Sequence, residues 1–245
     1  MSPIRKKAAV NMLMTTSSKS SFTLSIIVPI LNEVKSLPRL LEQLLPYQRQ
    51  GHEILIVDGG SDDGSANLVN TVGFKLISSE VGRARQMNAG AAAAKGDVLL
   101  FLHADTELPP AADLCIEQAL AQSGRQWGRF DVRITGASWM FLVIATMMNW
   151  RSKFTGIATG DQAIFVRRSA FFEVGQFPHQ ALMEDIALSK ALKKIGMPVC
   201  LRARVSTSGR RWEKHGIWST IFLMWRLRWL YWLGRSPQEL KKLYQ

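Results

Sequence analysis

Cysteine is scarce in this chain, and no apolar run is long enough to cross a bilayer. Cys115 and Cys200 make no disulfide framework. Each falls in an apolar stretch, as a small buried hydrophobe in a reducing compartment would. The most apolar segments, Trp139–Trp150 and residues 217–233, fall short of the ~20 apolar residues of a spanning helix. The first reads as a buried or interfacial helix. No G-x-G-x-x-G follows the first apolar strand and no Gly-Lys-Ser/Thr closes a glycine loop, which excludes the dinucleotide fingerprint and the P-loop. An internal repeat is missing. So is a secretory signal, because Ala8–Met14 is interrupted by Asn11 and followed by Thr-Thr-Ser-Ser-Lys-Ser. Residues 1–20 read instead as a mobile basic leader, with Met12 or Met14 as alternative starts.

What is present is a balanced domain with basic ends. The net charge of +12 is carried by residues 1–20, with four cations and no acid, and by residues 201–245, with ten Lys/Arg against Glu213 and Glu239. Residues 21–200 hold 17 charges of each sign. A nucleic-acid surface wants a basic stripe across the folded domain, so this distribution favours anionic phosphate or lipid near the C-terminal segment. At 245 residues the chain can bury one large core.

Strands and helices alternate. Leu24–Ile30, Glu53–Val57, Phe74–Ile77 and Val98–Leu102 read as strands, nearly all of them continuously apolar. Helices are expected from Val34 to Leu45, through Leu68 and Val69, over Gly82–Ala94 and over 111–122. This pattern predicts an α/β fold, with a mostly parallel central sheet covered by helices on both faces. The second half is less regular. Strands are expected at Arg129–Ile134, Asp161–Arg167 and Val199–Val205, a helix over Met183–Ile195, and a last apolar helix over 217–233. Domain bounds are expected at 21–212, with a Trp-rich helical segment over 213–245.

Five motifs carry chemistry. The run Val98–Leu102 ends in His103-Ala104-Asp105, and alternate residues of an extended chain share a side, so His103 and Asp105 could face one ligand. Carboxylate and phosphate oxygens suit Mg²⁺ or Mn²⁺ there, and imidazole is acceptable to Mn²⁺. A hydrogen bond within the turn is the alternative for His103. Asp58-Gly-Gly-Ser-Asp-Asp-Gly-Ser65 sits at another strand end, where a carboxylate can accept from a base or sugar, or else cap the next helix. Arg83 and Arg85 open a helix against its dipole, a conflict that a bound phosphate would resolve. Glu184-Asp185 open another helix, as a general base or as simple capping. Arg210-Arg211-Trp212 offers guanidinium forks and an indole face.

Taken together, Ser25-Ile-Ile-Val-Pro-Ile-Leu-Asn-Glu33, Val57-Asp-Gly-Gly-Ser-Asp-Asp-Gly64, Leu100-Phe-Leu-His-Ala-Asp105 and Glu184-Asp185 resemble family 2 glycosyltransferases over residues 22–212. The strings Gly-Arg-Ala-Arg-Gln-Met-Asn, Trp-Gly-Arg-Phe-Asp-Val-Arg and Ala-Thr-Gly-Asp-Gln-Ala-Ile-Phe-Val are similar to a bacterial subgroup, the radical-SAM/selenoprotein-associated transferase 2 or arsenosugar-biosynthesis glycosyltransferases. The resemblance implies a GT-A fold, a nucleotide-diphospho-sugar donor, a hydroxyl-bearing acceptor and inverting transfer assisted by Mn²⁺ or Mg²⁺. It implies Asp185 as base with Glu184 beside it, and Asp105 at the metal. Pro29, Asn32, Glu33, Asp58, Gly59 and Asp62 would lie at the nucleotide-sugar, with Arg83, Arg85, Asn88, His103, Arg211 and Trp212. Two departures stand out. His103 replaces the first acid of the family's Asp-x-Asp, and Ser208 replaces the Gln of Gln-x-x-Arg-Trp, so processivity is not implied.

A sugar nucleotidyltransferase is the rival enzyme, but it wants a Gly-rich loop with Thr-Arg and Pro-Lys where this chain has Pro29-Ile-Leu-Asn-Glu33. A membrane-surface binding protein is the other rival. Trp218, Trp225, Trp229 and Trp232 recur on one helical stripe flanked by Arg226 and Arg228, while Leu223, Leu227 and Leu230 take the opposite side. The expected location is the cytoplasm, peripheral to the inner membrane face if that stripe meets lipid.

Overall fold

The computed structural model describes residues 22–244; the expected leader at 1–20 lies outside them. Its strands are β1 Leu24–Ile30, β2 Glu53–Asp58, β3 Lys75–Ser78, β4 Val98–Phe101, β5 Thr106–Glu107, β6 Trp127–Thr135, β7 Phe165–Arg167 and β8 Val199–Ser208. Its helices are α1 Leu37–Arg49, α2 Ser65–Val72, α3 Arg83–Ala93, α4 Ala112–Ser123, α5 Met140–Thr155, α6 Arg168–Glu173, α7 Glu184–Leu192, α8 Arg210–His215, α9 Ile217–Trp232 and α10 Pro237–Tyr244. One eight-stranded sheet runs in the order β3-β2-β1-β4-β7-β6-β8-β5. The pairs β1–β2, β1–β4, β2–β3 and β6–β8 are parallel, while β7 runs antiparallel to both β4 and β6, and β5 to β8.

The continuous apolar strands are explained by two cores, one on each face. Leu24, Ile26, Val28, Ile54, Ile56, Val98 and Leu100 point to one side, against Leu37, Leu40, Leu41 and Leu44 of α1 and Ile116 and Leu120 of α4. Ile27, Leu55, Val57, Leu99 and Phe101 point to the other, against Ala84, Met87 and Ala91 of α3 and Leu188 and Leu192 of α7. Strand residues of opposite parity therefore serve opposite cores. Each fully buried Leu or Ile contributes about 1.5–3 kcal/mol. Gly90 lets α3 lie close on the sheet, because a Cβ there would stand 2.5 Å from Ile27 Cγ2 and 2.9 Å from Val57 Cγ2.

Three expectations change in detail. Asp161–Arg167 is not one strand: Gly160–Gln162 forms a 3₁₀ turn and only Phe165–Arg167 is extended. The turn is held by Gln162, fully buried, whose side-chain oxygen accepts from the Thr159 amide at 3.2 Å. Residues 210–212 open the helix α8, an element not expected there from the sequence. The cysteines are unpaired as expected, but partly rather than fully buried.

The apolar segment at 139–150 becomes α5, about 24 Å long at 1.5 Å per residue. Phe141, Ile144 and Ala145 are buried, whereas Trp139, Met147, Trp150 and Phe154 are 58–75% exposed. In α9, Leu227 is fully buried and Leu223 and Leu230 pack beside it, while the four tryptophans of the stripe are 58–75% exposed. No helix among the described residues is long and apolar enough to cross a membrane.

Candidate functional site

The carboxyl ends of β1, β2 and β4 meet at one edge, where the loops interlock. Asn32 adopts a left-handed backbone, φ 55°, and its amide donates to Ser61 Oγ at 2.9 Å while its side-chain oxygen accepts from the Asp62 amide at 3.0 Å. The Glu33 amide donates to Ser65 Oγ at 3.0 Å and the Val34 amide to Asp63 Oδ2 at 2.9 Å. Asp58 is buried and accepts from the Ser61 hydroxyl at 2.6 Å and the Ser61 amide at 3.1 Å. Asp63 accepts from the Ser65 amide and hydroxyl, a local turn just ahead of α2, whose N-cap is Gly64 without a side-chain cap; the Ser65 hydroxyl above all holds the Asp63 carboxyl below the usual range. Beneath this edge Gln86, which sequence reasoning missed, donates from Nε2 to Ile30 O at 2.7 Å and Val57 O at 2.9 Å, tying two strand ends to α3. Gly59 packs on that same amide. Half-buried Pro29 sits where β1 has outrun β4 and is flanked by β2 alone, so its missing N–H costs no bond to β4.

A second group gathers around the start of α7. Asp185 Oδ2 accepts from the Gly160 amide at 2.9 Å and Oδ1 from the Ile186 amide at 2.7 Å, which fixes the carboxylate at the positive end of α7. His103 Nδ1 lies 3.4 Å from Asp161 Oδ1, and Glu184 Oε1 lies 3.6 Å from Arg83 Nη1. A small cleft, partly open to solvent, is lined by His103, Gly160, Glu184 and Asp185 over an apolar floor that includes Phe101 and Phe177. Asn88 secures that floor by exchanging two hydrogen bonds with the Phe177 backbone, at 2.8 and 3.1 Å.

The expected conflict of Arg83 and Arg85 with the α3 dipole is met by protein carboxylates. Arg83 faces Glu184 and Arg85 pairs with Glu80, so no bound phosphate is needed to account for either. Arg210, the first residue of the Arg210-Arg211-Trp212 motif, donates to Ser36 Oγ at 3.3 Å, and Ser36 in turn donates to Glu33 at 2.9 Å. That chain brings the start of α8 beside the β1 loop. Trp212 is half-buried and packs against the main core. Arg211 lies in α8; its side chain falls outside what the structure describes.

Asp105 is exposed at the mouth of β4, and among the described residues its side chain has one long contact, from the Thr106 hydroxyl at 3.4 Å, which leaves most of its lone pairs unengaged by them. No group of three His, Cys, Asp or Glu that could hold a metal occurs among the described residues. Mg²⁺ and Mn²⁺ commonly take one or two protein carboxylates and fill the remaining positions with substrate phosphate and water. A single open carboxylate fits that arrangement and does not fit a closed protein cage. His103 is engaged with Asp161, 58 residues away, which is neither a metal site nor the expected bond within its own turn.

Burial, and then the charge of Asp185, push the Glu184 carboxyl up, with Arg83 partly offsetting them. Such a group binds its proton more tightly folded than unfolded, so its contribution to stability is lost as pH rises through the folded value. Glu184→Gln is therefore expected to raise the melting temperature at neutral and alkaline pH and to flatten the pH profile; about 1 kcal/mol corresponds to about 2–4 °C in a chain this size. Melting curves from pH 5 to 9 check this. Asp161 runs the other way. Burial opposes its charge, but the hydrogen bond and charge of His103, with Arg83 and Arg228 beyond, hold it low, so its contribution is lost as pH falls.

Gly160 connects the two halves of the cleft. A Cβ there would stand 2.4 Å from both Cε1 and Nε2 of His103. Gly160→Ala must displace His103 from Asp161, and it disturbs the amide that anchors Asp185. A displacement near 1 Å costs about a hundredfold in rate when it misplaces a reacting group. Turnover should fall by about that factor with the circular dichroism unchanged.

Residues 25–174 match the family model described as glycosyl transferase family 2. The undecaprenyl-phosphate 4-deoxy-4-formamido-L-arabinose transferase of Proteus mirabilis is 30% identical over 155 residues, which cover 58% of this chain and 47% of that protein. The chain thus spans about half the length of such curated relatives. Among solved structures, Staphylococcus aureus TarS 1–349 in complex with UDP superposes with a TM-score of 0.62 at 17% identity, over 76% of this chain and 60% of that one. Mannosyltransferase PcManGT from Pyrobaculum calidifontis, in complex with GDP-Man and Mn²⁺, superposes with a TM-score of 0.60 at 20% identity, over 92% and 67%. At these identities the structures establish the fold, and the relatives do not reach the narrower bacterial subgroup.

Proposed function

This chain belongs to glycosyl transferase family 2, and on that premise we propose that it moves a sugar from a nucleotide-diphospho-sugar to an acceptor hydroxyl, with inversion. The observation that carries the reading is Asp185, held from two backbone amides in a cleft beside the strand ends where nucleotides bind in open α/β sheets. Asp185 takes the proton of the acceptor hydroxyl, whose oxygen attacks the anomeric carbon from the face opposite the diphosphate. Gly160 and His103 hold that side of the cleft in place. Asn32, Glu33, Asp58, Gly59 and Asp62 form the loop edge that receives the nucleoside. Asp105 would hold a divalent cation, which supplies charge neutralisation to the departing diphosphate. Arg211 and Trp212 remain assigned to the leaving-group side.

A screen of nucleotide-sugars by thermal stabilisation, with and without Mn²⁺, tests this. A true donor at about 100 times its Kd adds about 2.7 kcal/mol. Turnover should release free nucleoside diphosphate, and release of pyrophosphate would instead establish a nucleotidyltransferase.

The aromatic stripe of α9 favours one further assignment, to an anionic lipid surface on which this enzyme is peripheral. Trp218, Trp225, Trp229 and Trp232 face outward beside the exposed Arg226, the arrangement of an interfacial helix. The protein should sediment with anionic liposomes at low salt and not with neutral ones, and Trp225→Ser with Trp229→Ser should release it. A protein that stays in the supernatant removes the membrane assignment and leaves the chemistry standing.

A further inference from the structure

Two arginines unused by this mechanism converge near Asp185. Arg151 follows Trp150 in α5, and Arg228 follows Leu227 in α9. Fully buried Leu227 shares one cluster with Met183 and Ile186, the residues that bracket Glu184 and Asp185, and this brings Arg228 to the start of α7. Nε and Nη2 of Arg151 are buried with no hydrogen-bond partner among the described residues. Arg228 makes no salt bridge among the described residues, whereas nearby Arg129 is neutralised by Asp131 and held by Ser152 and the Asn149 carbonyl.

The two guanidinium groups also act on each other. Burial, and then the charge of Arg228, lower Arg151 to about 10, with Asp185 partly offsetting them. Burial lowers Arg228 too, against the charges of Asp185 and Asp161. Asp185 acts on both from beyond salt-bridge distance, so neither guanidinium has a direct counter-ion among the described residues. Like charges desolvated together are unfavourable unless an anion joins them.

We propose that Arg151 and Arg228 clamp an oxyanion beside Asp185, behind the lining of the cleft, and that the acceptor carries a phosphate monoester close to the hydroxyl that is glycosylated. Assignment to the acceptor follows from the reading of Asp185 as base. The charge of Asp185 acts on both arginines, which stand on α5 and α9, whereas the donor loops follow β1 and β2. A phosphate monoester supplies three oxygens and up to two negative charges to two planar forks, the match that guanidinium pairs make best. The bearer of that phosphate is either a small soluble ester or a lipid headgroup.

The test uses the full chain with a nucleoside diphosphate and Mg²⁺ held at saturation, so that the donor's phosphate positions are filled. Inorganic phosphate, titrated at constant ionic strength against chloride, should raise the melting temperature further in a saturable manner. Arg151→Gln and Arg228→Gln should each abolish that rise, while melting without phosphate at or above the wild-type temperature, because the like-charge contact is relieved; a purely structural arginine would lower it. Arg226→Gln, one exposed neighbour away, should respond as wild type. Should a glutamine variant fail to fold, Arg151→Lys keeps the charge but loses the fork, and should weaken the phosphate response at least tenfold. Vesicles separate the sources. A preference for phosphatidic acid over phosphatidylglycerol at matched surface charge, lost in both glutamine variants, assigns the lipid; a phosphate response without that preference assigns a soluble ester. No phosphate effect together with no lipid preference, or variants that respond as wild type, overturns the clamp. Since these readouts need no turnover, a failure of Asp185 as base is detected separately.

Discussion

Replacing Asp185 by Asn is expected to lower turnover by about 10²–10⁴, the usual value of a positioned base, while nucleotide-sugar binding survives. The substitution keeps the shape. The carboxamide oxygen of the new side chain can still accept from the Gly160 or Ile186 amide, so α7 and the cleft wall should hold their places. What is lost is the capacity to take a proton and the charge beside the attacking oxygen. The donor's nucleotide is expected at the loops of Asn32 and Asp58, away from this change, so thermal stabilisation by the nucleotide should match the wild type. Glu184→Gln offers the internal comparison. Glu184 is buried against Arg83 and its charged form is disfavoured, so its loss should cost turnover less than the loss of Asp185 does. Near-normal turnover in Asp185→Asn would overturn the base assignment, and the comparison with Glu184→Gln would then show whether the neighbouring acid had the role.

The parts of the fold that were legible are those whose signal is local. In β1, β2 and β4 every residue or nearly every one is apolar, because even and odd positions feed two different cores, and a short strand buried on one face alone would alternate instead. The stripe of α9 was legible for the same reason: the Leu face and the Trp face differ in what they touch. The two-residue strand β5 was not legible, since it exists only through its pairing with Ser206 and Thr207. Short α6 and α8 owe their existence to docking rather than to periodicity. In the site, Asp185 and Asp105 could be singled out from their place at element ends. Their partners could not. His103 meets Asp161 and Arg83 meets Glu184 only because β4, the 3₁₀ turn and α7 converge. Asp161 did leave a trace in the string Ala158-Thr-Gly-Asp-Gln-Ala, which marked the segment without indicating that its acid would turn toward His103. Arg151 and Arg228 were hidden inside apolar helices, where their neighbours suggested only a surface.

Asp105→Asn should lower turnover by about a hundredfold or more and should abolish any dependence of nucleotide affinity on Mn²⁺ or Mg²⁺. The expectation rests on how differently the two ends of His103-Ala104-Asp105 are used. His103 is nearly enclosed, close over Gly160 and turned to Asp161, so its imidazole acts on the cleft wall. Asp105 is exposed and among the described residues has only the long Thr106 contact, so its carboxylate is the member of this pair with lone pairs to give. A monodentate amide oxygen is a far weaker partner for a hard cation than a carboxylate, which makes Asn sufficient as the test. His103→Gln is the discriminating companion. It should retain the cation dependence of nucleotide binding, measured as the difference in melting temperature with and without Mn²⁺, while losing turnover through the displaced Asp161 and Gly160. Were the two phenotypes exchanged, the imidazole and not the carboxylate would be the ligand, and the departure of this chain from Asp-x-Asp would be a change of metal donor. Were both variants to keep full cation dependence, neither end of the motif would hold the ion.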